Sequence, residues 1–215
     1  MRPLHRHRAR STWIRQERVP LWIKVLYSLF LCVLVPVYWH GYGPANFLWA
    51  SDLALFFVCF ALWTERPLTN SMMAVGVLPF EIAWVVDFLS GSQLIGMASY
   101  MFEVERPLYL RGLSLFHMLL PPIIVFLLLR LGYDRRALTG QTLLTWVVLP
   151  VTYLLTDPAD NINLVFGPLR EAPQRILPPV VYLVLEMLLL PVALYLPTHS
   201  LLQRLLGHRG RSALE

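Results

Sequence analysis

Charged residues are scarce in this 215-residue chain. Asp, Glu, Lys and Arg together make up 14% of the sequence, whereas globular chains carry roughly 25%. Apolar residues reach 57%, above the roughly 45–50% of such chains. Since a soluble protein must cover its surface with charge, this composition excludes a soluble domain and equally a disordered chain. The sequence therefore predicts a polytopic helical membrane protein, and the net charge of +5 does not indicate a nucleic-acid partner.

Cysteines and the common catalytic motifs are also few or absent. The two cysteines, Cys32 and Cys59, both lie inside apolar stretches, which excludes a disulfide framework and a CxxC redox or metal motif. No HExxH, HxxxH or G-x-S-x-G motif occurs in the chain. Any chemistry must therefore come from residues that the fold brings together.

Six segments are long and apolar enough to cross the hydrocarbon layer, which takes about 20 helical residues. They are residues 21–39, 44–64, 68–90, 112–131, 137–156 and 177–196. The predicted fold is an all-α bundle of six transmembrane helices over residues 21–197, with a basic arm before it (residues 1–20) and a basic tail after it (residues 198–215). We expect the first segment to remain uncleaved, because it is longer than the apolar core of a signal peptide.

Basic residues divide unequally between the two sides of such a bundle. Fourteen of the 18 Lys and Arg residues fall on the side that holds both termini. The positive-inside rule then predicts that both termini are cytoplasmic. We expect a bacterial cytoplasmic (inner) membrane, because no organelle-targeting pattern occurs, and we expect the basic arm to contact anionic lipid. The sequence defines neither the oligomeric state nor the substrate.

The two longest loops are predicted on the outer side. Residues 91–111 and 157–176 each form a connection of about 20 residues, longer than most plain connections. Within them, residues 96–102 and 161–168 are apolar enough to lie along the membrane or to dip back into the protein. The inner connections at 65–67 and 132–136 are tight by comparison.

Four acids lie inside the predicted spans: Asp52, Glu81, Asp87 and Glu186. An ionisable side chain at the bilayer centre costs at least ~2.5–3.5 kcal/mol, so such residues normally face protein or water and are candidates for function. His117 lies near the outer start of its span, and His40 lies at the outer end of the first span. The sequence therefore predicts an outward-facing intramembrane polar site.

Three kinds of function fit this site. A membrane-embedded enzyme would act on a lipid-like substrate by acid–base chemistry or with a divalent metal as cofactor, because imidazole and carboxylate groups serve both roles. The candidate catalytic residues are Asp52, Glu81, Asp87, His117 and Glu186. The candidate metal ligands are His40, His117, Asp52 and Asp87. The alternatives are a proton- or cation-coupled transporter and a non-catalytic scaffold or assembly factor whose buried polar groups join helices.

Overall fold

The computed structural model describes residues 19–168 and 175–206, and within these residues it contains helices and no strand. The predicted all-α class is confirmed. The α-helices of the described residues are α1 (Leu21–Tyr42), α2 (Ala50–Thr64), α3 (Pro67–Gly76), α4 (Leu78–Leu89), α5 (Leu108–Ser114), α6 (Phe116–Leu131), α7 (Ala137–Leu155), α8 (Pro179–Leu189) and α9 (Leu196–Leu206). Short 3₁₀ segments occur at Pro44–Leu48, Ser99–Met101 and Ile162–Leu164, and a π-helical segment, Leu190–Tyr195, joins α8 to α9.

Several helices are long and apolar enough to span a membrane, which indicates an integral membrane protein. Four in the described ranges meet this requirement: α1, α5 with α6 (Leu108–Leu131), α7, and α8 through α9 (Pro179–Leu206). A fifth span results if α3 and α4 are counted as one helix pair bent by 50°. α2 has 15 residues, fewer than the about 20 of a straight crossing. The structure thus supports four or five spans, and six stays a prediction.

The third predicted span is broken at its midpoint. α3 ends at Gly76 and α4 begins at Leu78, with a 50° change of direction between them. Pro79 has no amide hydrogen to bond the Val75 carbonyl, which removes a helical hydrogen bond at this point. Gly76 lies directly against Gln141 of α7, and a Cβ at Gly76 would overlap the Gln141 amide. A proline and a close helix contact together define the break.

The other prolines of the spans lie within helical segments. Those inside α1, α6 and α7 are Pro36, Pro121, Pro122 and Pro150. Pro191 lies in the π-helical segment, whose wider turn accommodates the lost hydrogen bond. The Met187 carbonyl that this proline frees accepts a hydrogen bond from Trp146 Nε1 at 2.9 Å. The freed carbonyl therefore finds a donor on the neighbouring helix, as a lipid environment requires.

α3 is the centre of the packing. It contacts α2, α6 and α7, and α4 continues along α6. Asn70 of α3 is fully buried and donates from Nδ2 to the Ile124 carbonyl at 3.1 Å, which joins α3 to α6. The surrounding core is mainly aliphatic, and its largest fully buried side chains include Leu34, Leu55, Leu62, Met73, Leu120, Ile124 and Leu127. This packing brings the starts of α4 and α6 side by side.

The predicted division into a basic arm, a bundle and a basic tail stays a prediction. α9 continues as helix to Leu206, nine residues beyond the predicted bundle limit at 197. Most of the predicted arm (residues 1–18) and half of the predicted tail (residues 207–215) lie outside the described residues. The predicted contact of the arm with anionic lipid also falls there and stays a prediction.

Candidate functional site

A cavity of about 700 Å³ lies at the end of the bundle that carries the two long loops. Its walls come from the start of α2, the α3–α4 break, the start of α6 and the middle of α7, together with connecting segments. Four of the five candidate catalytic residues line it, namely Asp52, Glu81, His117 and Glu186. Residues far apart in the sequence thus share one cavity.

Glu81 and His117 form a hydrogen-bonded pair in the cavity wall. Glu81 Oε2 lies 2.8 Å from His117 Nδ1, and Glu81 is only 2% exposed. Glu81 stands in the first turn of α4, a turn that exists because the chain breaks at Val77. His117 stands in the first turn of α6, which packs against α4. The break in the third span and the α4–α6 contact therefore create the pair.

Aromatic rings hold the plane of the His117 imidazole. Trp84 stacks on it with ring centroids 4.4 Å apart, and Phe116 stacks on it at 4.0 Å. Nδ1 is directed at Glu81, and Nε2 has no hydrogen-bond partner among the described residues. When the Glu81 carboxylate accepts a hydrogen bond from Nδ1–H, the lone pair of Nε2 is free to accept a proton. No serine, threonine or cysteine of the described ranges bonds to His117, so the pair suits a water molecule or a substrate hydroxyl rather than a protein nucleophile.

Asp52 contributes a second carboxyl group to the cavity. It lies in the first turn of α2, is 4% exposed, and has an Oδ1 atom without a hydrogen-bond partner in the described chain. The start of α2 is held by Asn163 of the second long loop. Asn163 accepts from the Ala50 amide at 2.8 Å and donates to the Leu48 carbonyl at 2.7 Å. This loop therefore dips back into the protein and positions Asp52, whose buried oxygen needs a donor from a ligand or water.

Asp87 has a structural role, and we correct its prediction as a catalytic or metal-binding residue. It does not line the cavity. Its two oxygens accept four hydrogen bonds from the loop that follows α4. The donors are the amides of Ile95, Gly96 and Ala98 at 2.8, 3.2 and 2.9 Å and the hydroxyl of Ser92 at 2.8 Å. A carboxylate with this many donors has no free position for a substrate or a metal ion, and it holds the loop in place instead.

The four predicted metal ligands do not come together. His40 is exposed on α1 and does not line the cavity, and Asp87 is occupied by its loop. Only Asp52 and His117 are left, and no group of three His, Cys, Asp or Glu side chains in the described residues could hold a metal ion. Zinc sites in proteins use three or four side-chain ligands. The described residues therefore do not form a zinc site of this kind.

The wall formed by α7, α8 and the π-helical segment carries a second polar cluster. Gln141 Nε2 donates to Thr145 Oγ1 at 3.4 Å, and Thr145 Oγ1 shares a hydrogen bond of 2.8 Å with the Tyr195 hydroxyl. Glu186 also lines the cavity. Glu186 Oε2 and Gln141 Oε1 are buried and have no hydrogen-bond partner in the described residues. We call Gln141, Thr145, Glu186 and Tyr195 the α7–α8 cluster.

Sequence reasoning missed several residues of the cavity: Tyr38, Arg106, Gln141 and Tyr195. The Tyr38 hydroxyl lies 2.6 Å from the Ser114 hydroxyl, so these two groups satisfy each other beside the Glu81–His117 pair. Gln141 could have been predicted from the sequence, because burying a neutral amide inside an apolar span also costs free energy unless the amide has hydrogen-bond partners. A tyrosine or a loop arginine carries no such signal, since both are common at membrane interfaces.

The fold and the cavity define a class, a helical integral membrane protein with a buried pocket that holds acids and a histidine. No protein-family model, curated protein or solved structure matches the chain.

Proposed function

We propose that this protein is a membrane-embedded enzyme that acts on a lipid-like substrate by general acid–base chemistry. His117 is the proton acceptor, and Glu81 orients it. The observation that carries the proposal is the 2.8 Å contact between Glu81 Oε2 and His117 Nδ1 in the wall of the cavity. A buried carboxylate that holds one imidazole nitrogen leaves the other ready for proton transfer.

The proton steps follow from this arrangement. His117 Nε2 removes a proton from a water molecule or a substrate hydroxyl, and Glu81 stabilises the imidazolium at Nδ1. The deprotonated oxygen forms a bond to the electrophilic atom of the substrate, the bond from that atom to the leaving group breaks, and His117 Nε2 returns the proton to the leaving group. Trp84 and Phe116 keep the ring in one plane through both steps. General acid–base catalysis of this kind contributes roughly 10²–10⁴-fold to a rate.

The dimensions and lining of the cavity favour an amphiphilic substrate. Its volume of about 700 Å³ is within the range of small-molecule sites, roughly 300–1,000 Å³. Leu144, Val148 and Leu149 of α7 supply an apolar surface beside the polar groups. A molecule with an acyl or prenyl chain and a polar head matches both surfaces. The metal-assisted form of the hypothesis is not proposed, because the donor set is incomplete.

The proposal is tested with purified protein in nanodiscs that contain a bacterial lipid extract. We expect a time-dependent change in one lipid class, measured by mass spectrometry, and a loss of turnover of roughly 10²-fold or more in His117→Asn. His40→Asn is the matched control, because His40 is exposed and outside the cavity, and it should keep full turnover. Full turnover in His117→Asn, or no lipid change with the unaltered protein, would refute the proposal.

A transporter is the second candidate, because buried polar residues extend inward from the cavity along α3 and α7. On α7 these residues are Gln141 and Thr145, and on α3 they are Asn70 and Ser71. All four are at most 6% exposed. Asn70 Oδ1 has no partner in the described residues. Proton flux into liposomes without lipid turnover would favour this candidate. The scaffold would be favoured if the protein shows no flux and no turnover, and if neutralising Asp52 or Glu81 causes loss of folding.

We propose six spans with both termini in the cytoplasm of a bacterial cell. The 3₁₀ segment Pro44–Leu48 lies directly before the 15-residue α2. At about 2.0 and 1.5 Å per residue, the lengths of the two segments add up to roughly 30 Å, comparable with the thickness of the hydrocarbon layer. Reporter enzymes fused after Glu215 and within residues 157–168 should report opposite sides of the membrane. A periplasmic reporter after Glu215 would refute this orientation.

A further inference from the structure

The unsatisfied polar atoms of the cavity are mostly hydrogen-bond acceptors. Asp52 Oδ1, Gln141 Oε1 and Glu186 Oε2 are buried and have no partner in the described residues. Asp52 and Gln141 are 4% and 5% exposed. All three residues line the cavity, together with two unsatisfied groups that can donate, Trp84 Nε1 and the Tyr42 hydroxyl. An occupant that satisfies this surface must bring hydrogen-bond donors.

Positive charge from the protein does not meet this demand. Arg106 is the one Lys or Arg that lines the cavity in the described chain. Its guanidinium is bound elsewhere, at 2.9 Å from Glu103 Oε2 and 5.4 Å from the ring centroids of Tyr42 and Tyr100. Among the described residues, no Lys or Arg therefore pairs with Asp52 or Glu186 in the cavity.

The α7–α8 cluster is the part of the cavity that the proposed acid–base chemistry does not use. Its Thr145 and Tyr195 hydroxyls bond to each other at 2.8 Å, which leaves the Glu186 carboxylate and the Gln141 carbonyl oxygen as the acceptors of the cluster. A primary ammonium group carries three N–H donors, one positive charge and no acceptor, which complements two such oxygens. A quaternary ammonium has no N–H donor, and a phosphate offers mainly acceptors.

We infer that the α7–α8 cluster binds a primary ammonium group, so that the ligand of the cavity carries an amine in its polar head. This inference deepens the proposed function, on which it rests for the lipid-like nature of the substrate. Two sources supply the group, the headgroup of an aminophospholipid or a soluble organic amine. The apolar α7 surface favours the lipid, with its amine at Glu186 and its reacting bond at His117.

The test compares lipids that share their acyl chains and differ in the headgroup, which carries a primary ammonium, a quaternary ammonium or no amine. Phosphatidylethanolamine, its trimethylated counterpart phosphatidylcholine, and phosphatidylglycerol are offered to the full-length protein, and retained lipid is measured by native mass spectrometry. We expect phosphatidylethanolamine to be retained about 10-fold better than phosphatidylcholine, the ratio that one charge-assisted hydrogen bond supports. Glu186→Gln should reduce the preference to about 3-fold or less on the same scale.

Two further variants complete the test, one at the second acceptor and one as a control. Gln141→Met removes the second acceptor at similar size and should also weaken the preference. Glu105→Gln is the matched control for Glu186→Gln, because Glu105 is exposed and outside the cavity, and it should change nothing. Equal retention of the three lipids, or an unchanged preference in a folded Glu186→Gln variant, would overturn the inference.

Competition with free ethanolamine separates the two sources of the ammonium group. Retention of phosphatidylethanolamine against millimolar ethanolamine assigns the subsite to a lipid headgroup, and displacement by micromolar ethanolamine assigns it to a soluble amine. The binding readout also separates this inference from the proposed function. A Glu186-dependent preference without any lipid turnover would remove the enzyme and keep the subsite, whereas turnover without that preference would remove the subsite alone.

Discussion

The two ends of the bundle differ in whether their buried polar groups have hydrogen-bond partners in the protein. At the end with the short connections, the charged and hydroxyl groups have protein partners, and the unpartnered buried atom there is Asn70 Oδ1, an amide oxygen. Lys24 is 4% exposed and pairs with Glu65 at 3.0 Å, and the Asp134 amide donates to the Ser71 hydroxyl at 3.0 Å. At the end with the long loops, buried oxygens such as Asp52 Oδ1 surround a cavity and have no partner among the described residues.

This difference predicts which substitutions reduce stability and which reduce function. A buried ion pair whose members satisfy each other holds helices together, and removing one member leaves a charge without compensation. A buried oxygen without a partner lowers stability and is retained where a ligand or a reaction uses it. We therefore expect substitutions at the short-connection end to reduce the free energy of unfolding. Substitutions in the cavity should reduce activity or binding and leave stability nearly unchanged.

The largest effect on stability is expected from Lys24. Its side chain and that of Glu65 are 6% and 13% exposed, so Lys24→Ala takes the ammonium group away from a poorly hydrated carboxylate, which keeps its hydrogen bond from the Val19 amide. Breaking such a pair costs about 3–5 kcal/mol. Thermal unfolding in detergent measures the loss, and lipid turnover per folded molecule should stay the same. A double variant, Lys24→Met with Glu65→Leu, removes both charges and should recover most of the stability. A loss below about 1 kcal/mol in Lys24→Ala would contradict the contrast between the two ends of the bundle.

An intermediate effect is expected from Asp87, which lies at the cavity end and nevertheless has partners. Asp87→Asn removes the charge that four donors share, and we expect a loss of about 2 kcal/mol together with faster proteolysis of residues 92–98. Lipid turnover should fall much less than in His117→Asn. Glu105→Gln serves again as the exposed control. A complete loss of turnover with the loop still protected would place Asp87 in the chemistry after all.

The smallest effect is expected from Asp134, in the connection between α6 and α7. Hydrogen bonding to Arg136 at 2.7 Å lowers the pKa of Asp134 below its usual value. A carboxyl whose pKa is lowered by folding stabilises the protein above its ordinary pKa, and the contribution disappears as the pH falls through the lowered pKa. Arg136 is exposed, so solvent screening keeps the contribution small.

Melting temperatures measured from pH 6 down to pH 3 check this prediction. The unaltered protein should lose slightly more stability than Asp134→Asn once the pH falls below about 4, the usual pKa of an aspartate. Asp134→Asn keeps an oxygen for the Arg136 amide, which isolates the effect of the charge. Parallel pH profiles of the two proteins would show that the pair contributes nothing.

The acids of the cavity were predictable one residue at a time. A carboxyl group in an apolar segment is costly wherever it lies, so Asp52, Glu81 and Glu186 were candidates before any contact was known. Asp87 carried the same signal and has a different role, because its partners are backbone amides of a loop that composition does not describe. His40 was a candidate ligand by depth alone, and its helix face points away from the cavity lining.

The sequence by itself determined the class of the protein and the helical nature of its chain. Long apolar segments with little charge can satisfy their backbone groups in a bilayer only as helices, and this follows from composition and length. Tertiary structure decided which polar groups meet. Glu81 reaches His117, 36 residues away, only because the chain breaks at Val77 and α4 packs on α6. Gln141 reaches the cavity because Gly76 has no Cβ. Such contacts depend on the packing of distant segments, which no local pattern encodes.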